Sequence, residues 1–240
     1  SRAQPIHQTT SYVFPDTDTA SSLFNLERGG HVYNRISNPT IGVLEQRVAA
    51  LEGGSASVCV SSGMSAVFCA LTAIVSQGDH IVASANMYGG NISLLKNTLP
   101  RFGITTTFVD PTDLKSLESA IQENTKIVFG ELIGNPGLSI MDIEGVAKIC
   151  KKNHLPLMID GTFNTPYLCR CFEHGANIIV HSLTKWMGGH GTSIGGAVVD
   201  GGNFDWGLND NFPTLTEAYA PFTGINFWEE FGPSAFATRI

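Results

Sequence analysis

Lys185 sits among small hydroxyl residues and glycines, in His181-Ser182-Leu183-Thr184-Lys185-Trp186-Met187-Gly188-Gly189-His190-Gly191. The run before it, Ala176-Asn177-Ile178-Ile179-Val180, reads as a buried strand. Lys185 would then emerge at the carboxyl end of that strand, where open α/β sheets place their ligands. A primary amine there can act as a Schiff-base nucleophile, and Ser182 and Thr184 offer hydroxyls to a phosphate. Upstream, Leu157-Met158-Ile159 ends in Asp160. A buried carboxylate is costly without a cationic partner, and a pyridinium nitrogen would supply one. An amine for an aldehyde and an acid for a ring nitrogen are what pyridoxal phosphate asks of a protein. Taken singly, Lys185 also reads as a solvated surface charge and Asp160 as a turn former or helix cap. The glycines crowded round the lysine, with Ile194-Gly195-Gly196 beyond, favour the ligand reading, since they let the backbone approach closely.

Other residues extend this chemistry. Ser61-Ser62-Gly63-Met64 lies where a strand gives way to a helix, so the N–H groups of Gly63 and Met64 would meet an anion. Tyr88, before Gly89-Gly90, offers an aromatic face for ring stacking. Tyr33 and Arg35 are two apart on an extended arm and point the same way, so a phenol and a guanidinium could converge on one phosphate. Arg35 alone also reads as a surface ion-pair partner, and Asn135, before Pro136, as a turn residue.

The elements that must position these groups follow from the pattern of apolar runs. From about residue 54 to 200, β-branched runs alternate with helical periodicity, as in a mostly parallel sheet flanked by helices, an α/β fold. Strands are predicted at 56–61, 80–85, 105–109, 127–132, 156–160, 177–181 and 194–199, with helices at 64–75, 92–99, 113–122 and 143–152. Residues 1–50 differ. They hold the polar stretch 33–40 and then an amphipathic helix through Val43, Leu44, Val48 and Leu51. An arm of this kind is expected to contact a neighbouring subunit, leaving 51–240 as the ligand-binding domain. After Asp200 the chain is rich in aromatics, from Phe204 and Trp206 to Phe236, and loop-like. Burial against a partner or a missing domain is the expectation there.

Composition narrows the class. With 42% hydrophobic and 15% charged residues the chain can bury a large core. A net charge of −7 argues against a nucleic-acid or anionic-membrane surface. No run approaches the roughly 20 apolar residues that span a bilayer, and the first residues have no signal-peptide character. Five cysteines, an odd number, fit a reducing cytoplasm. Cys169-Arg170-Cys171 lacks a zinc-ligand spacing and no histidine falls at a ligand interval with it, so no metal site is expected.

Together these motifs resemble the Cys/Met-metabolism family of pyridoxal-phosphate enzymes, which has fold type I. The likeness runs from Ser11 to about Phe231. It is carried by Tyr33-x-Arg35-x-x-Asn38-Pro39-Thr40, Ser61-Ser62-Gly63-Met64, Asn135-Pro136, Asp160 before Gly161-Thr162-Phe163, and His181-Ser182-x-Thr184-Lys185. The resemblance implies the large domain of a transferase. Lys185 would form a Schiff base with the cofactor, Asp160 would pair with its ring nitrogen and Tyr88 would stack on the ring. Gly63, Met64, Ser182 and Thr184 would hold the phosphate, with Tyr33 and Arg35 reaching it from a neighbouring subunit of a homo-oligomer, a dimer of dimers. Asn135 would lie near the cofactor hydroxyl and substrate carboxylate, with Glu131 behind it.

Within the family, the run Lys185 to Gly196, with Gly202-Asn203-Phe204-Asp205-Trp206 and the aromatic insertion after it, is similar to the branch that acts on O-acetylhomoserine. The resemblance implies γ-replacement by sulfide or a thiol, giving homocysteine in methionine biosynthesis. Tyr33 would be the acid–base group near the leaving group, its phenol lowered from an ordinary pKa near 10. A γ-lyase or a cystathionine γ-synthase is the alternative, and a cofactor-free scaffold or sulfur-carrier-binding module would leave Lys185 and Asp160 unused. Two departures stand out. Members usually carry Asp-Asn-Thr where this chain has Asp160-Gly161-Thr162, so Gly161→Asn is expected to tighten cofactor binding or leave it unchanged. The chain also stops at Ile240, before the family's smaller C-terminal domain and its carboxylate-binding arginine.

Overall fold

The computed structural model describes residues 2–25, 27–222 and 224–240, which fall into two units, 1–47 and 48–240.

In the first unit, helix α1 (Thr17–Phe24) starts at Asp16, whose side chain accepts the Thr19 N–H at 2.6 Å. Ser11 bridges to Tyr33, and the Asn38 amide donates to the His7 carbonyl at 2.8 Å while accepting the Thr40 N–H at 2.7 Å. The stretch expected to be extended is instead folded. The N–H groups of Ile36 and Ser37 both donate to the Tyr33 carbonyl, at 2.9 and 3.1 Å. This turn brings the Arg35 guanidinium over the Tyr33 ring, 5.4 Å from its centroid. Helix α2 (Pro39–Glu52) begins in this unit and ends in the second. Val48 is buried, but Leu44 and Leu51 stay exposed, so the predicted apolar stripe is only partly covered.

The second unit carries the sheet. Along the chain come β1 (Ala56–Val60), α3 (Gly63–Thr72), β2 (His80–Ser84), α4 (Gly89–Ser93), β3 (Thr105–Val109), α5 (Leu114–Ser119), β4 (Thr125–Glu131), α6 (Ile143–Lys152), β5 (Leu157–Asp160), α7 (Thr165–Leu168), β6 (Ile178–Ser182) and β7 (Gly196–Asp200). Among the described residues the seven strands form one sheet in the order β1-β7-β6-β5-β4-β2-β3. β7 runs antiparallel to both neighbours, and the other pairs are parallel.

The central strands read as unbroken apolar runs because both faces are covered. Ile127, Phe129, Met158, Ile178 and Val180 pack on the α3 side. The residues between them, Val128, Leu157, Ile159 and Ile179, pack on the other side with Val146 and Cys150 of α6. From β2 the chain moves outward to β3, then returns to β4 on the other flank of β2. The direction of winding therefore reverses between β2 and β4, and a crevice opens at such a reversal.

The segment after Asp200 corrects one expectation. Trp206, Phe212, Phe227 and Phe236 are buried in the same core cluster as α3 and the sheet. The Trp206 and Phe236 rings stack at 5.4 Å, and Phe212 meets Trp206 edge-on at 5.0 Å. Short helices α9 (Phe227–Phe231) and α10 (Ala235–Arg239) carry Phe227 and Phe236, while Phe212 precedes α8 (Pro213–Thr216) and Trp206 lies in a turn. An aromatic-rich segment with little periodicity can thus complete its own core. Asp200 fixes its end, accepting the Gly202 and Ala237 N–H groups at 2.9 and 3.1 Å, while burial pushes its carboxyl up to about 6.

Candidate active site

Side chains from the carboxyl ends of β4, β5 and β6 close on one cavity of about 340 Å³, in the size range of small-molecule sites. Its lining is drawn wholly from the 48–240 unit. It includes Gly63, Met64, Tyr88, Glu131, Asn135, Asp160, Ser182, Thr184 and Lys185, so these predicted residues are brought together. Tyr33 and Arg35 belong to the first unit.

Glu131 and Asp160 end adjacent parallel strands and are paired in register. Asp160 Oδ1 accepts the Thr162 N–H at 3.0 Å and the Thr162 hydroxyl at 2.6 Å. That hydroxyl oxygen in turn accepts the Ser182 N–H at 2.8 Å, which ties the carboxylate to the end of β6. Asp160 Oδ2 accepts from the Asn91 amide at 3.3 Å. Glu131 Oε1 accepts the Tyr88 N–H at 2.7 Å and the Asn91 amide at 3.1 Å, and its Oε2 accepts the Asn135 N–H at 3.1 Å. Burial, then the neighbouring Asp160, push Glu131 up to about 7 against these donors. Among the described residues, no lysine, arginine or histidine nitrogen lies within 4.0 Å of either carboxylate. Two adjacent carboxylates without a protein cation favour a ligand that brings positive charge.

The opposite wall is an anion cradle. Ser62 caps α3, its hydroxyl accepting the Ser65 N–H at 3.1 Å, which leaves the Gly63 and Met64 N–H groups open at the positive end of the helix. A side chain at residue 63 has no room. A Cβ there would stand 2.6 Å from Ser182 Cβ and 2.9 Å from Ser182 Cα, so only glycine lets α3 meet the end of β6 this closely. Thr184 lines the cavity, but its hydroxyl accepts the Gly195 N–H at 3.1 Å and donates to the Gly195 carbonyl at 3.3 Å. Tyr88 is half exposed, with its ring against Gly90. Lys185 sits in the turn after β6, where its N–H reaches the Ser182 carbonyl at 3.2 Å. No ion pair involves its Nζ among the described residues.

Behind Asp160, Gly161 faces a buried pair. His181 Nε2 lies 2.5 Å from Glu52 Oε1, and both side chains are fully buried. A Cβ at residue 161 would stand 2.7 Å from His181 Cε1. The glycine is therefore matched to His181, and a side chain at residue 161 would have to displace that ring.

Sequence reasoning missed Asn91 and Thr162. Thr162 follows Asp160 at the spacing of an Asx turn, a local signal that was available. Asn91 had none, because its two acceptors lie 40 and 69 residues away.

The sequence profile of the Cys/Met metabolism PLP-dependent enzymes matches residues 1–224. The chain is 50% identical over 232 residues to the O-acetyl-L-homoserine sulfhydrylase of Leptospira meyeri, covering 97% of this chain and 52% of that protein. It is 49% identical over 239 residues to the homocysteine synthase of Schizosaccharomyces pombe, covering 99% and 56%. It thus spans about half the length of the curated relatives it matches. A crystal structure from Campylobacter jejuni, of a protein named for O-acetylhomoserine (thiol)-lyase, superposes with a TM-score of 0.92 at 37% identity, covering 100% of this chain and 64% of that one. That structure contains N'-pyridoxyl-lysine-5'-monophosphate.

Proposed function

We infer the function from one premise: this chain belongs to the Cys/Met metabolism family of PLP-dependent enzymes. The observation that carries the reading is the pair of carboxylates, Asp160 and Glu131, which among the described residues have no protein cation within 4.0 Å, in a cavity that also holds Lys185 and the open N–H groups of α3. Those residues fit pyridoxal phosphate. Asp160 would hold the ring nitrogen, Gly63, Met64 and Ser182 the phosphate, Tyr88 the ring face, and Lys185 the covalent bond. Thr184 would add to the phosphate site by sharing the hydroxyl it now gives to Gly195, and Asn135 would orient the substrate carboxylate.

When bound, pyridoxal phosphate supplies an electron sink for charge developing at the substrate Cα. The Lys185 amine, in no ion pair among the described residues, removes the Cα proton. Asp160, with both oxygens fixed, keeps the ring nitrogen protonated. We assign to the protein replacement of the γ-acetoxy group of O-acetylhomoserine by sulfide, giving homocysteine for methionine biosynthesis, or by a thiol, giving its S-substituted form, with acetate leaving in either case, a reading supported by the sulfhydrylase relatives. Tyr33 and Arg35, stacked on one another, would be delivered by a second copy in a homotetramer, with Tyr33 moving the proton at the leaving group. Five cysteines, an odd number, accord with a reducing compartment, the cytoplasm.

Turnover of O-acetylhomoserine with sulfide tests the activity: homocysteine is the expected product. Formation of 2-oxobutanoate and ammonia without sulfide consumption would make the protein a γ-lyase instead. Mixing Arg35→Ala with Lys185→Ala chains tests the shared site, since hybrids should regain partial activity. No recovery after confirmed subunit exchange would assign Arg35 to its own chain's site.

A further inference from the structure

Asn91, in α4, is almost fully buried, at 1% exposure. Its amide nitrogen reaches the ends of two different strands, 3.1 Å from Glu131 Oε1 and 3.3 Å from Asp160 Oδ2. Its Oδ1 is buried without a hydrogen-bond partner. Leaving a buried acceptor unpaired costs about 1–3 kcal/mol, so something must hold the amide this way round. Two carboxylates accept and do not donate, and they fix its orientation. Among the described residues, Asn91 is also the one side-chain donor to Asp160 Oδ2; Thr162 serves Oδ1 alone.

We propose that Asn91 is a positioning residue for the cofactor, a shared donor that lets Asp160 and Glu131 stand charged side by side and aims Asp160 at the ring nitrogen. The proposal rests on the pyridoxal-phosphate reading of this cavity. Without the bridge the two carboxylates repel, and the pair takes up a proton more readily. The repulsion turns Asp160 away from the ring nitrogen, and the loss is greatest where both carboxylates are charged. Glu131, pushed up to about 7 by burial and then Asp160, takes up a proton below that pH and relieves the repulsion.

The test is the dissociation constant of pyridoxal phosphate from the cofactor-free protein at pH 6 and pH 9, for wild type, Asn91→Leu, Glu131→Gln and the double variant. Leucine keeps the volume and removes the donor. A hydrogen bond to a charged group predicts about tenfold weaker binding by Asn91→Leu at pH 9, where both carboxylates are charged, with a smaller deficit at pH 6, where Glu131 carries a proton. In the Glu131→Gln background, where one charge is gone, Asn91→Leu should cost much less. A deficit of equal size at both pH values and in both backgrounds would reduce Asn91 to a packing role and overturn the proposal. So would no deficit at all. If the wild type itself failed to bind pyridoxal phosphate, the reading of the cavity would fall, and the assignment of Asn91 with it. Thermal melts of the four cofactor-free proteins report the structural cost separately.

Discussion

Gly161→Ala tests the packing behind the candidate cofactor site. The new Cβ would stand 2.7 Å from His181 Cε1 and 3.3 Å from Ile179 Cγ2. Carbon atoms rest comfortably at about 3.5–4.0 Å, so the ring would have to retreat by about 1 Å. It has nowhere to go: its side chain is fully buried and its Nε2 is already 2.5 Å from Glu52 Oε1, itself fully buried. Overpacking of this kind costs about 1–3 kcal/mol. The lower entropy of alanine in the unfolded chain offsets less than about 1 kcal/mol of that. A net loss of about 2 kcal/mol corresponds to a fall in Tm of about 4–8 °C for a chain of this size. The assay is a double-mutant cycle with His181→Ala, read by thermal and urea unfolding. Removing the ring leaves Glu52 buried without its partner and should destabilise by several kcal/mol on its own, roughly 3–5. In that background Gly161→Ala should cost almost nothing, giving a coupling energy of about 2 kcal/mol. Additive effects, or a Gly161→Ala protein as stable as wild type, would refute the steric argument.

Three further outcomes follow from the same geometry. Asp160→Asn keeps the Thr162 contacts but loses the charge; it should bind pyridoxal phosphate more weakly, and at saturating cofactor turnover of O-acetylhomoserine should fall about a hundredfold, equivalent to about 3 kcal/mol of lost charge stabilisation. Wild-type rates would remove Asp160 from its assigned role. Gly63→Ala would press on Ser182 backbone and Cβ at 2.9 and 2.6 Å, and should weaken cofactor binding about tenfold in a direct titration, because α3 can yield only by leaving the end of β6. Glu131 is raised from 4.5 to about 7 in the folded protein, so the folded state binds the proton more tightly than the unfolded one. The cofactor-free protein should therefore lose up to about 3 kcal/mol as the pH rises from 4.5 through 7 and level off above. Glu131→Gln should flatten that slope in unfolding measured across the range; a slope unchanged by the substitution would show that Glu131 does not carry it.

The sheet and its loaded strand ends were legible because continuous apolar runs such as Ile178-Ile179-Val180 can only be buried strands, and a lysine or aspartate closing such a run has to face something. Local motifs served in the same way: Ser62-Gly63-Met64 announces an open helix N-terminus without reference to the rest of the chain. What could not be read depended on distant partners. Asn91 gains its role from Glu131 and Asp160, and Gly161 owes its identity to His181. The aromatics from Trp206 to Phe236 carry no strong period, so nothing local revealed that they stack on one another under α3. Around Tyr33 and Arg35 the error ran the other way. Residues two apart share a face only in extended chain, whereas two N–H groups converging on one carbonyl make a turn and bring them together differently.

The central claim, that Lys185 is the attachment point of pyridoxal phosphate, is tested most directly by reducing the cofactor-loaded protein with borohydride and mapping the phosphopyridoxyl group by peptide mass spectrometry. The account predicts the adduct on the peptide carrying Lys185 and its absence from the Lys185→Ala protein. An adduct on another lysine, or none on a protein that has bound the cofactor, would contradict it.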